Sequence, residues 1–336
     1  MKRFVKALIV AGILIGSGVL CGVLGNILIV AGVEKPQETE YEEKYYATSP
    51  DKMDEIELDL ATETVYIVPA EGDEIEIQYW DKTENPEFRI TEHNGKLIIS
   101  KNPKMQIGFQ MSFFWNEPER HDEMTIGIPE DYVGSYNLGF SSGAMNVSDL
   151  VIEEKLTIDG TSGIVNLENI ECKKEVMAEM SSGQMTLAGV SISEDVQIGL
   201  TSGVVKMSDV TIDKNMSLDM SSGSIEATNV EVAENLTMDM TSGSIKMDTL
   251  TVGYVSLEAS SGDCKILALT TEKGIYLDAT SGDFEVSLTD EMENYNISTD
   301  ITSGDCNLSN NYGDGEKTIF VGLTSGDADF NFEKAE

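Results

Sequence analysis

The sequence predicts an all-β protein: a parallel β-solenoid of about ten 20-residue coils, capped by an N-terminal β domain and preceded by one transmembrane helix. Three observations carry that expectation. Ser-Gly returns ten times between Ser142 and Gly326, with glycines at 143, 163, 183, 203, 223, 243, 262, 282, 304 and 326. Apolar columns keep step with it at strand alternation and not at helical spacing. Ahead of them lies an uncharged apolar run from Ala7 to Val33. A tandem unit near 20 residues is too short to bury its own apolar face and must stack on its neighbours.

In chain order, residues 1–33 hold Lys2, Arg3 and Lys6 and then the apolar run. That run exceeds the roughly 20 residues needed to cross a bilayer, so it reads as a membrane helix. Basic residues before it and Glu34 after it put the N-terminus in the cytoplasm and everything beyond outside the cell. A cleaved signal peptide is the alternative, and no small-x-small cleavage site favours it. Cys21 follows Leu20, where lipid attachment would need a small residue. Gly12 with Gly16, and Gly18 with Gly22, fit the small-residue packing pattern through which two such helices could form a homodimer.

Residues 34–50 are polar and acidic and read as a poorly ordered stalk. Residues 51–135 show strand alternation without the 20-residue period, as in Ile56-Glu-Leu58-Asp-Leu60 and Val65-Tyr-Ile67, and are expected to cap the first coil. Within them Phe109, Phe113, Phe114 and Trp115 form the densest aromatic cluster of the chain. They are a candidate interaction patch, or else part of the cap.

Residues 136–332 are the repeats. Two and four residues after each glycine the side chains are apolar, as in Met185 and Leu187; three, five and seven before it they are again apolar, as in Met220, Leu218 and Met216. A shorter apolar pair follows, as in Val190 with Ile192, so each coil should have three faces. From Thr271 onward this third face fades and the spacing grows to 22, which reads as loop insertion. The repeated glycine suits a corner that leaves no room for a Cβ, with the preceding hydroxyls bonding backbone and one another. Cys264 and Cys306 fall in inward columns two coils apart by sequence, too far to bridge.

All 60 acidic residues but only 19 of the 22 basic ones lie beyond the apolar run, giving that part a formal charge of −41. Such a field excludes nucleic acid and anionic lipid as electrostatic partners. Two acidic ladders run along the repeats. Asp263, Asp283, Asp305 and Asp327 follow the last four glycines and are the candidate metal ligands, with calcium the cation they would suit; four before the glycine stand Asp159, Glu179, Asp219, Asp239, Glu258, Asp278 and Asp300. A solvated acidic face is the plainer reading of both. The only histidines, His93 and His121, lie outside the repeats, so the serines have no base at hand. No catalytic residue and no resident cofactor is expected.

The basic-then-apolar start, the segment Ile-Pro-Glu-Asp-Tyr (Ile128 to Tyr132), and Thr-Ser-Gly-Asp at 280–283, 302–305 and 324–327 resemble the bacterial putative-adhesin family. These β-strand-repeat proteins, catalogued as a domain of unknown function, include LiaG-like membrane proteins; the likeness covers roughly residues 50 to 332. The resemblance implies a surface β-solenoid, sometimes associated with cell-envelope stress systems, without catalysis. The early copies lack the aspartate, as at Gly183-Gln184 and Gly203-Val204. The expected role is a membrane-anchored extracellular interaction module, adhesin-like or structural, that meets an envelope protein or surface component. The alternative is an accessory regulator of an envelope stress sensor acting through its helix or ectodomain.

Overall fold

The computed structural model describes residues 40–102 and 122–333. The expected membrane helix, the first part of the stalk and the aromatic patch of Phe109, Phe113, Phe114 and Trp115 lie outside the described residues. Among those described, no helix is long and apolar enough to cross a membrane. The architecture below is that of the compact unit formed by residues 42–81 and 85–333.

The unit is a parallel β-solenoid. Its strands are β1 Tyr41–Thr48, β2 Glu55–Leu60, β3 Thr64–Pro69, β4 Ile75–Lys82, β5 Phe88–His93, β6 Lys96–Lys101, β7 Glu123–Ile128, β8 Ser135–Phe140, β9 Ala144–Ser148, β10 Val151–Ile152, β11 Leu156–Gly160, β12 Ile164–Glu168 and β13 Glu171–Cys172. There follow β14 Val176–Ile192, β15 Val196–Ile212, β16 Met216–Met240, β17 Ser244–Met247, β18 Leu250–Ala259, β19 Asp263–Ala279, β20 Asp283–Leu288, β21 Tyr295–Ile301, β22 Lys317–Leu323 and β23 Asp327–Phe332. The segment expected to be a disordered stalk thus contains strand β1.

In the central coils, residue i pairs with residue i+20 in parallel, as Val176 with Val196 and Ile198 with Leu218. Like therefore stacks on like, and the inward columns merge into one continuous core from Met53 to Phe330. The three expected faces are present: β11 and β12 flank the glycine corner, and β10 pairs with β13 as the short third face.

The ten glycines form a single file. Each has φ between 108° and 143°, a region that only glycine occupies at little cost. A Cβ added at Gly203 would overlap the carbonyl oxygen of Gly183, and the same holds at each step between repeat glycines. A second special corner lies six residues on, where Asp149, Asn169, Gly189, Asp209 and Asn229 are all left-handed. Asn and Asp tolerate that conformation better than other side chains, and here their side chains also bond along the file, Asn169 Nδ2 to Asp149 Oδ1 at 2.9 Å.

The ends depart from the expected order. Residues 51–135 do not form a cap apart from the solenoid: β2 and β3 supply the two long faces of a further coil, with Ala61-Thr62-Glu63 standing where the repeats have Ser-Ser-Gly. That coil lies between β8–β9 on one side and β6–β7 on the other, with Leu58 paired to both Leu138 and Ile99. The capping role itself belongs to β5 and β4, which run antiparallel to β6 and β7.

The C-terminal end repeats the arrangement. Strands β22 and β23 insert between the β19–β20 coil and the coil of β21, so the glycine file ends in the order 262, 282, 326, 304. Burial explains the choice. The last coil of the chain places Ile319, Val321, Leu323, Ala328 and Phe330 inward, whereas the coil before it has Thr299 in the apolar column beside Val321 and the half-buried Cys306. The weaker coil takes the outside. Cys264 and Cys306 are consequently three coil steps apart and not two; with Cys172 they are free thiols.

Candidate functional site

The site is built on the outward side of the strand that precedes each glycine. Because side chains alternate across a strand, the inward columns fix three outward ones at six, four and two residues before the glycine. In the middle column stand Asp159, Glu179, Gly199, Asp219, Asp239, Glu258 and Asp278, joined coil to coil by the backbone ladder. Hydroxyls flank it: Thr201, Ser221, Thr241, Ser260 and Thr280 on one side, Ser217, Thr237 and Ser256 on the other.

The middle column from Glu179 to Asp278 and the hydroxyls of Thr201, Ser221, Thr241, Ser260 and Thr280 line a shallow groove of about 570 Å³. Gly199 interrupts the column, and the Glu179 carboxylate folds over the space that a side chain would take there. Loss of solvent, and then the charges of Asp219 and Glu258 and a hydrogen bond with Asp219, push the Asp239 carboxyl above its ordinary range. Burial is the larger cause, and the neighbouring carboxylates of Asp219 and Glu258 add to it.

No lysine or arginine lies in the three columns. Lysines of the repeats stand outside these columns and several are paired with acids there, Lys155 with Glu175 at 2.8 Å, Lys206 with Glu226 at 3.4 Å and Lys214 with Glu194; the Lys155 ammonium also reaches Met177 Sδ of the flanking column at 2.9 Å. An aromatic pair stands beside Asp278, the last carboxylate of the groove. The Tyr276 and Phe320 rings stack at 5.0 Å between centroids and 11° between planes, and the Tyr276 hydroxyl donates to Asp278 Oδ2 at 3.2 Å. The repeats thus carry outward aromatics in their last coils. Their signal in the sequence was available, since Tyr276 falls at an outward offset from Gly282, but β22 reaches Tyr276 only through the inverted order.

The candidate metal ligands form a file in the order Asp263, Asp283, Asp327, Asp305. Their carboxylates are used by the backbone: the Asp283 N–H donates to Asp263 Oδ1 at 3.2 Å and the Asp305 N–H to Asp327 Oδ1 at 2.9 Å. Among the described residues no three His, Cys, Asp or Glu side chains come together as a metal would require. Burial pushes the Cys264 thiol up to about 12, which makes it an inert core residue.

The fold and this face define a class: a β-solenoid with an extended polar surface. The chain belongs to the family described as Toastrack DUF4097, whose model matches residues 53–248 and 173–329. A putative adhesin from Bacteroides fragilis NCTC 9343 is similar at 13% identity over 75% of this chain and 99% of that one, with a TM-score of 0.27. A putative cell adhesion protein from Clostridium sporogenes ATCC 15579 is similar at 12% identity over 88% of this chain and 100% of that one, with a TM-score of 0.20. No curated protein matches.

Proposed function

We propose that the chain is a membrane-anchored, extracellular interaction module of the cell envelope, adhesin-like and non-catalytic, and that it meets its partner through the acidic, hydroxyl-rich face of the solenoid. The observation that supports this most is the segregation of charge. One face carries a column of carboxylates with no basic residue in it, while Lys206 and Lys214 stand outside that face, each paired with an acid there. A surface of one sign attracts a partner of the other and steers its approach. Binding should therefore weaken steeply with salt. The names of the two similar structures agree with an adhesive role. Carboxylates standing singly at one-coil spacing, about 4.8 Å apart, suit charge spread along a partner better than one compact ion.

The second reading, an accessory regulator that touches a sensor through its helix, draws on the apolar run from Ala7 to Val33. Photo-crosslinking in the native membrane, beside a variant with that run replaced by an unrelated span, separates the two. Capture of envelope or surface components that survives the replacement is expected. Capture of an integral-membrane signalling protein that vanishes with the helix would favour the regulator instead.

A further inference from the structure

The stacking order at the two ends carries an inference independent of any partner. At each end the coil nearest the chain terminus is not the outermost one. At the N-terminal end β2–β3 is bonded on one edge to β8–β9 and on the other to β6–β7. At the C-terminal end β22 is bonded to β19 and β21, and β23 to β20, with a bridge from Ala328 to Cys306 on its far side.

We infer that each end of the solenoid is a clasp, in which the terminal coil is held between two others and the outer coil is tied down at both of its chain ends. Solenoids are otherwise open to unrolling, because an end coil touches one neighbour only and fraying costs a single ladder. At the C-terminus a pull or a fluctuation therefore acts on a coil with ladders on both edges, whereas at the N-terminus it meets β1, paired with β4, before the inserted coil. The outer coil cannot unroll either, since its chain re-enters the stack.

Side chains fasten the pairs of coils that the inversion brings together. At the N-terminal end the buried Glu63 of the inserted coil pairs with Lys101 of the outer one. At the C-terminal end Asn307 Nδ2 donates to the Phe330 carbonyl at 2.8 Å while the Phe330 N–H donates to Asn307 Oδ1 at 2.9 Å. Lys317, at the start of the inserted coil, pairs at 2.6 Å with Asp290, at the start of the loop leading to the outer one. The outer strand's own edge is covered by its chain, Tyr312 and Ile297 exchanging backbone bonds at 2.8 and 3.2 Å.

The test is a specific protease site inserted between residues 309 and 316 of the full chain, cleaved in the folded protein. The fragment carrying β22 and β23 should stay with the rest on gel filtration. Amides of β21 should exchange hydrogen at least about ten-fold faster once the outer coil has a free end, while those of β22 hold their protection. Release of the fragment, or unchanged exchange in β21, overturns the inference. Should the insertion prevent folding, a chain reordered so that residues 317–332 precede 295–316 keeps every coil neighbour, and Tyr312 beside Ile297, but removes the inversion. Its outer coil should exchange at least about ten-fold faster than in the natural order, and equal exchange would overturn the clasp.

Discussion

At the scale of the residue, two positions state what the repeat demands. Gly203 needs both a φ of +143° and the absence of a Cβ against the Gly183 carbonyl. Gly203→Ala should cost about 3 kcal/mol, the upper end for backbone forced into a glycine-only region, as read from the midpoint of urea unfolding. Glu63 is the opposite case, a charged residue in a glycine's place. Burial alone would raise its pKa, but the Lys101 ammonium and the N–H groups of Ala61 and Thr62 outweigh burial and hold its carboxyl below the usual range. A depressed folded value means that the ionised form contributes stability above the ordinary carboxylate pKa, and that this is lost as pH falls through the folded value. In Lys101→Met burial becomes the larger influence. That variant should lose about 3 kcal/mol at neutral pH, the figure for a buried pair broken on one side, and recover part of it on acidification. Thermal melts of both chains from pH 7 to pH 3 read the opposed trends.

At the scale of the element, the exact 20-residue period made the central strands legible. Met185 and Leu187, or Leu218 and Met220, follow from counting because identical coils leave each inward column only one environment. The left-handed corner was equally present in the sequence, as Asp149, Asn169, Gly189, Asp209 and Asn229 at constant offset, and passed unread beside the louder Ser-Gly. The first coil was not legible, because Ala61-Thr62-Glu63 removes the mark and residues 102–122 separate β6 from β7. The inverted ends were illegible for a deeper reason: a period fixes what each coil looks like but not which coil lies beside which. Of the site, the acidic column was read from the sequence, whereas the separation of lysines onto other faces needed the three-sided coil. The crowding within that column has its own consequence. Asp239 titrates above its ordinary range, so its ionised form weakens the fold above that value, and stability from this residue rises as pH falls through it. Asp239→Asn should be neutral to slightly stabilising at pH 7, by about 0.5 kcal/mol for a half-buried surface position, with the difference vanishing in acid. A loss of stability on that substitution would contradict the crowding of carboxylates in this column.

At the scale of the whole molecule, a stack of like coils converts one residue's chemistry into a surface. A single outward carboxylate is unremarkable, but repeated along the stack and flanked by hydroxyls it becomes a groove of one charge. The solenoid holds that surface rigid, and its ends are fastened so that it stays whole. The most direct measurement places a photo-reactive amino acid at Thr241, inside the groove, and separately at Lys206, on the next face, in the full chain on intact cells. The account predicts adducts from position 241 that fade as salt is raised, and few from position 206. Equal adducts from both positions, or adducts from 206 alone, would contradict it.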